Sequence, residues 1–503
     1  MTEAPHTHSC THWTPSCKLL ALLAILIIFG KTIAFYLLGQ ERLIWDSHWY
    51  LTLAEQLAST GSYTLGDGDF HSKYPPGFPI LVAVAGRLLG SFQTAGALIV
   101  FTASVLLCLL VFLLGRRLAE ERELPGKSAG VLACLLFATH HLSLVHSNLI
   151  LTEQVFALFA VACLMFATRL RLTPRDIFLA LILAGAASLI RYEGLLLFPV
   201  LAWSWRRSAD QLPAQASKQL LMGLLVVGLA WSAWIAALVS HGASAFGGQY
   251  GKELAQLSWA SALDFLLLAL WIGPLFLILS FIGLAKILRQ PSSTSAALAA
   301  FCSLYFISHL CWWFSDIRFY VVLLPFLAVC AGFALIDFTH RLFRDSKGLR
   351  IAFLALAMAA LCSEQRGMLH ATEYEYRRYN ALYLHQYDPI EELGTWSLKN
   401  LPQGTFAVPE PAVYRHYLLG REVIPYSALP QVLSSGDAQV YLVIDNLHFR
   451  NEDLQSALDG AIKVRTPHAE VRELPVQILY KAERRETADD TRYAAVAAIK
   501  GKL

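Results

Sequence analysis

Long apolar runs separated by short polar loops set the outline of this chain. Eleven stretches fit helices that cross a bilayer: 18–38, 93–115, 125–140, 148–168, 175–189, 193–206, 218–240, 260–286, 293–312, 319–337 and 348–362. A crossing helix needs about 20 mainly apolar residues, so several of these are short for the task. Segment 76–90 is apolar but short and is expected to pack at the interface. Between the first two spans lies a polar loop, 39–75. Within it, 47–58 has helical periodicity, with Trp49, Tyr50, Leu53 and Ala54 on one face, and predicts a short interfacial helix. Gly61, Gly66 and Gly68 then end regular structure, and Pro75-Pro76 turns the chain back.

After the last apolar run the pattern changes. Residues 363–503 are more polar and predict a small α/β domain. Segment 373–384, rich in Tyr and Arg, is expected along the membrane face. Segments 405–408 and 440–444 predict strands, and 410–419 and 451–458 predict helices. Segment 471–481 predicts a pair of strand segments broken at Pro475. The expected architecture is mainly α: a cytoplasmic tail 1–17, a membrane bundle 18–362, and a C-terminal extracytoplasmic α/β domain 363–503.

Composition agrees with a membrane protein. Of 503 residues, 56% are hydrophobic and 15% charged, against about 25% charged in soluble domains. The net charge of +3 gives no footing for nucleic acid. Arg116, Arg117, Arg122, Lys127, Arg169, Arg171, Arg175, Arg206, Arg207, Lys218, Lys286 and Arg289 fall between spans on one side. So do Arg341, Arg344, Lys347 and Arg350. The positive-inside rule then puts the N-terminus in the cytoplasm and, after eleven spans, the C-terminus outside. The run from Leu19 to Leu38 is too long for a signal-peptide core and predicts an uncleaved first helix. The nine cysteines show no metal spacing and no disulfide framework.

The loops assigned to the outer side carry the candidate chemistry. Asp46 follows the first span, where a carboxylate either takes a proton from an incoming hydroxyl or caps the next helix. Lys73, with Tyr74 beside it, precedes the two prolines. Its ammonium suits a lipid phosphate, or simply snorkels at the interface. Glu153 opens a strongly apolar helix. It is a second acid for the Asp46 cavity, orienting an acceptor or binding a cation, or else a helix-terminal charge.

Arg191 and Glu193 interrupt an apolar stretch, and charges two apart do not face each other on an α-helix. A turn is expected there, with Arg191 on phosphate and Glu193 orienting it, or a plain structural pair. Arg318 is another phosphate ligand or the local partner of Asp316. His309 lies near the same span end. His241, Tyr250 and Lys252 occupy a loop that covers an acceptor or is merely solvated. Asp67 and Asp69 read as a metal pair or as an ordinary glycine-rich turn. Cations handle a single phosphate without metal, so no obligatory divalent ion is expected. The chain has no P-loop, no GxSxG and no HExxH.

Over roughly residues 20–340 the chain resembles the integral-membrane GT-C glycosyltransferases. It is most similar to bacterial members like protein O-mannosyltransferases and the lipid A aminoarabinose transferase. The resemblance rests on Asp46 after helix one, the Lys73-x-Pro75-Pro76 turn, the Gly115-Arg116-Arg117 helix exit, and Thr152-Glu153. It implies a polyprenyl-phosphate sugar donor, displacement at the anomeric carbon with inversion, and an envelope acceptor: glycolipid, polysaccharide or protein. It also implies Asp46 as base, Lys73 as carrier-phosphate ligand, and Glu153 as support. Many relatives carry Asp-Glu after helix one, where this chain has Asp46-Ser47, so a second acid there is not transferable. The competing classes are a polyprenyl-linked sugar flippase or polysaccharide transporter, and a silent assembly protein. Neither would need Asp46 for turnover.

Overall fold

The computed structural model describes residues 26–27, 29–33, 43, 45–65, 70–169, 172–207, 216–242, 259–312, 315–379, 388–409, 413–414, 417–418, 420–435, 439–445, 461–465, 471–485 and 491–499. Tyr250, Lys252, Asp67, Asp69 and the expected helix at 451–458 lie outside them.

The helices of the apolar part are α1 (Trp45–Ser59), α2 (Gly77–Leu89), α3 (Phe92–Glu120), α4 (Gly126–Thr139), α5 (His141–His146), α6 (Glu153–Ala167) and α7 (Pro174–Ile190). They continue as α8 (Leu197–Arg207), α9 (Ala216–Ser240), α10 (Trp259–Leu268), α11 (Pro274–Leu288), α12 (Ser293–Leu310), α13 (Phe319–Leu342) and α14 (Lys347–Tyr379). Among the described residues, five helices are long and apolar enough to cross a membrane: Phe92–Glu120, Ala216–Ser240, Ser293–Leu310, Phe319–Leu342 and Lys347–Leu369. The chain is a multi-pass membrane protein.

Burial sorts these helices. The apolar window of α13 is 89% buried, whereas that of α9 is 22% buried and that of Lys347–Leu369 is 11% buried. A helix apolar all round and buried belongs at the centre of a bundle, and one apolar but exposed needs lipid around it. α13 packs against α4, α3, α6 and α11. Local signals set several boundaries. Thr173 forms a capping box with Asp176 at the start of α7, and Ser292 does the same with Ser295 at α12.

Two of the expected spans take a different course. The run 260–286 is not one straight helix: Ser261–Ile272 and Pro274–Leu288 meet at 99°. Gly273 sits between them at φ 112°, which a residue with a Cβ rarely adopts, and Pro274 supplies no amide hydrogen. Glu364 of α14 accepts from the Leu275 and Phe276 amides and so caps the new helix start. The run 348–362 belongs to a 33-residue helix ending at Tyr379, because nothing between Cys362 and Tyr379 breaks it.

The C-terminal part begins with α15 (Asp388–Asn400). It builds one sheet from β1 (Thr405–Val408), β2 (Glu422–Pro425), β3 (Val440–Asp445), β4 (Ala461–Arg465), β5 (Val471–Arg485) and β6 (Thr491–Ile499), with α16 (Leu429–Ser435). The strand order is β2-β1-β3-β6-β5-β4, with β1 parallel to β2 and β3 and the other pairs antiparallel. Every residue of β1 and β3 is buried, as expected for central strands covered on both faces. Phe406, Tyr414 and Tyr441 pack under α15 on one face, and Leu429, Leu433 and Leu442 pack on the other.

Pro475 does not split β5 into two strands. It pairs with Ala461 on the β4 side, and the β6 ladder begins one residue later, at Val476. Its missing N–H therefore costs no bond to β6. A register shift between Ile478 and Tyr480 marks the irregularity instead.

Candidate functional site

Five segments far apart in sequence meet at the bundle end that carries the first loop. α1 brings Asp46. The 70–76 turn brings Lys73 and Tyr74. The α5–α6 connection brings Thr152 and Glu153. The turns before α8 and α13 bring Arg191, Glu193, Asp316 and Arg318.

The turn is fixed by packing. Tyr63 donates to the Tyr74 and Pro75 carbonyls at 3.1 and 3.3 Å, and Tyr192 donates to the Ser72 carbonyl at 3.0 Å. Gly77 follows the prolines against the end of α7, where a Cβ would lie 2.6 Å from the Leu189 carbonyl oxygen. Only glycine lets the turn and Arg191 approach so closely.

Asp46 has both carboxylate oxygens engaged. Oδ1 accepts from the Tyr74 hydroxyl at 2.8 Å, and Oδ2 accepts from Arg318 Nη1. Arg318 sits among three acids. Its Nε is 3.2 Å from Asp316 Oδ2 and 4.0 Å from Glu153 Oε1, and its backbone N–H donates to Asp316 Oδ1 at 2.9 Å. Arg191 holds the other side. Its Nη1 donates to Glu153 Oε1 at 2.8 Å and to Thr152 Oγ1 at 3.1 Å, and its Nη2 donates to Glu193 at 2.7 Å. His309 Nε2 lies 3.6 Å from the same Glu193 oxygen.

Glu153 is 1% exposed, so it sits between two guanidinium groups out of solvent. Burial of a lone carboxylate would be prohibitive, and the paired cations are what make it tolerable. Lys73 completes the cationic lining, its Nζ 4.8 Å from the Trp49 ring centre and 5.4 Å from that of Tyr74.

These contacts set the acidities. Burial pushes the Asp46 carboxyl up, but Arg318, Lys73 and the Tyr74 hydroxyl outweigh it and hold the group below the ordinary carboxylate range. Asp316 goes the other way, since burial outweighs Arg318. His71 is pushed down to about 3 by burial and then by Lys73, so the ring is neutral.

The sequence reading named Asp46, Lys73, Tyr74, Glu153, Arg191, Glu193, His309 and Arg318, and the fold brings these eight to one place. Tyr250 lies outside the described residues. Arg191 and Glu193 do touch although two apart, because Tyr192–Leu196 is a 3-10 turn rather than an α-helix. His241 stacks on Phe70 at 4.4 Å, away from the acids.

Four participants were missed: Tyr50, Tyr305, His146 and Gln154. Tyr50 reaches Thr152 Oγ1 at 3.5 Å, and its signal was there: it stands one helical turn after Asp46. Tyr305 stands one turn before His309 on α12, and its hydroxyl is buried with no partner among the described residues. Glu153 Oε2, both His146 ring nitrogens and the Gln154 side-chain amide are likewise buried without one among the described residues. Buried polar atoms of this kind ask for a polar ligand or water. Among the described residues, no three of His, Cys, Asp and Glu converge as a metal site.

No family model matches the sequence, and no curated protein matches it. Solved structures do match the fold. One is ArnT from Cupriavidus metallidurans bound to undecaprenyl phosphate, with a TM-score of 0.63 at 13% identity, covering 96% of this chain and 98% of that one. Another is the Archaeoglobus fulgidus oligosaccharyltransferase tethered with an acceptor peptide, with a TM-score of 0.55 at 14% identity, covering 92% and 74%. A third is the arabinofuranosyltransferase AftD from Mycobacteria, with a TM-score of 0.53 at 14% identity, covering 97% of this chain and 40% of that one. The chain thus has the fold of the integral-membrane GT-C glycosyltransferases that its motifs resemble.

Proposed function

We propose that the protein transfers a sugar from a polyprenyl-phosphate donor to an envelope acceptor: a glycolipid, a polysaccharide or a protein. The observation that carries this reading is the meeting of Asp46 and Arg318, 272 residues apart, at one bundle end in a GT-C fold. A carboxylate beside a guanidinium supplies a proton acceptor next to a phosphate ligand. The neighbours support the substrate class, since ArnT was solved with undecaprenyl phosphate and the archaeal oligosaccharyltransferase with an acceptor peptide.

In this reading Asp46 takes the acceptor proton while the acceptor oxygen attacks the anomeric carbon from the face opposite the phosphate. Lys73 and Arg318 hold the carrier phosphate as its charge grows. Glu153 and Glu193 hold Arg191, and the buried polar atoms of Tyr305, His146 and Gln154 suit the hydroxyls of a sugar. Hexosyl and pentosyl donors both fit this chemistry. The distribution of basic loops supports a bacterial inner-membrane protein with the site on the outer face. Three cations line the site, so no divalent ion is required to neutralise a single phosphate. EDTA treatment is expected to leave transfer unchanged.

The test is label transfer in membranes from a radiolabelled polyprenyl-phosphate sugar pool, comparing wild type with Asp46→Asn at matched expression. Acceptor-dependent transfer is expected to fall by about a hundredfold or more in the mutant. Equal transfer would remove Asp46 as the base. Absence of transfer together with altered movement of the lipid across the membrane would indicate a transporter.

A further inference from the structure

We propose that Arg318 masks the base, and that the phosphate of a polyprenyl carrier unmasks it by drawing the guanidinium away from Asp46. This rests on the transferase reading above. It adds an order of events: the base becomes competent only when the carrier is in place.

The argument starts from the carboxylate. A general base must accept a proton at one of its oxygens. Asp46 Oδ1 is held by the Tyr74 hydroxyl at 2.8 Å and Oδ2 by Arg318 Nη1. Each oxygen keeps a second lone pair, but a carboxylate paired with a guanidinium is a poor proton acceptor until that partner leaves. Tyr74 is the less mobile of the two, since its carbonyl and that of Pro75 are fixed by Tyr63 and its ring packs 4.8 Å from Tyr50.

Arg318 is built to leave. Asp316 holds its backbone N–H at 2.9 Å and faces its Nε at 3.2 Å, so Nη1 can turn off Asp46 without the guanidinium losing its counter-charge. Glu153 Oε1, 4.0 Å from Nε, keeps a second acid on that side. The charged and titratable groups facing Asp46 are Arg318, Lys73 and Tyr74, with Tyr50, His71, Glu153 and Asp316 beyond them. Lys73 acts on Asp46 as a second cation. A phosphate that enters between the two cations competes with Asp46 for Arg318, and guanidinium pairs with phosphate bidentately.

The transfer step then balances. The acceptor oxygen forms its bond to the anomeric carbon, and the bond from that carbon to the phosphate oxygen breaks. The electron pair leaves with the polyprenyl phosphate, which gains a second negative charge. The acceptor proton goes to Asp46 Oδ2, freed by Arg318. The growing phosphate charge holds Arg318 away from the acid for as long as the base must be open.

The test uses the full chain in lipid nanodiscs, labelled with 13C at the aspartate side-chain carboxyl. Infrared difference spectra are recorded on adding a C55 polyprenyl monophosphate, with the C55 polyprenol as the control lacking phosphate. The carboxylate band lost in Asp46→Asn is expected to shift with the phosphate lipid and to stay with the alcohol. In Arg318→Gln the band is expected at its shifted position before any lipid is added, which also assigns it if Asp46→Asn does not fold. Bound lipid is measured in parallel with radiolabel. Lipid that binds without moving the band overturns the mask and leaves the transferase reading standing. Failure of the wild type to bind the phosphate lipid overturns both.

Discussion

Arg191 shows how much of this site rests on guanidinium geometry. It donates to Glu153, Thr152 and Glu193 at once from a planar fork, whose spread of donors the compact ammonium of a lysine does not match. Arg191→Lys is expected to lower transfer about tenfold to a hundredfold, read as a fall in kcat at saturating donor. The pH profile belongs to the same scale. Asp46 works as a base only when ionised, so activity is present above its pKa and is lost as pH falls through it. The neighbouring cations place that loss below the ordinary carboxylate range. Arg318→Gln removes the largest attraction, leaving burial less opposed, and is expected to move the acid limb of kcat/KM to higher pH. A limb that stays put would mean that Arg318 does not set the acidity of the group titrated. Asp46, Lys73 and Glu153 were legible because each is an ionisable residue at the end of an apolar run. Tyr305 was not, because a tyrosine in an apolar helix gives no sign of where its hydroxyl goes.

Among the elements, the 70–76 turn and α7 are joined by a glycine contact rather than by charge. Gly77→Ala puts a methyl group against the Leu189 carbonyl, with backbone on both sides and no flexible side chain to yield. Overpacking of this kind costs about 1–3 kcal/mol. The mutant is expected to unfold at lower temperature and to bind carrier more weakly, as thermal unfolding with and without C55 polyprenyl monophosphate would show. The bend at Gly273 is a second element-scale feature. Apolar composition runs unbroken from 260 to 286, so it reads as one span, and the Gly-Pro pair alone does not fix an angle. The angle is set by Glu364, which reaches the helix start from α14. Pro475 is the converse case, a residue that reads as a strand break and is accommodated because the β6 ladder begins one residue after it, so its missing N–H costs no bond there.

On the scale of the whole molecule, the C-terminal sheet and the bundle meet beside the acid. His48 lies two residues after Asp46 on α1, is fully buried, and its Nε2 is 3.3 Å from the Tyr417 hydroxyl. The two rings lie 5.8 Å apart. Tyr417→Phe removes one neutral hydrogen bond while keeping the ring, and is expected to lower transfer about twofold to tenfold. Unchanged turnover at matched folding would show that the sheet does not steady α1 through this contact.

The sequence by itself determined that the chain spans a membrane, where its main apolar helices run, and which acids and cations cluster at loop ends. These follow from local rules, since apolar run length and basic-loop placement act on each segment separately. Strands β1 and β3 were readable for the same reason, while β2, β4 and β6 were not, because a short strand is defined by the neighbour it pairs with. Only the tertiary structure decided that Asp46 meets Arg318, that Glu153 is shared between two arginines, and that Arg191 and Glu193 face each other. Those pairings depend on helix packing across hundreds of residues, where half a turn of rotation would send a charge into lipid. Burial then makes each pairing obligatory, since an ion left alone in that interior has no water to hold it.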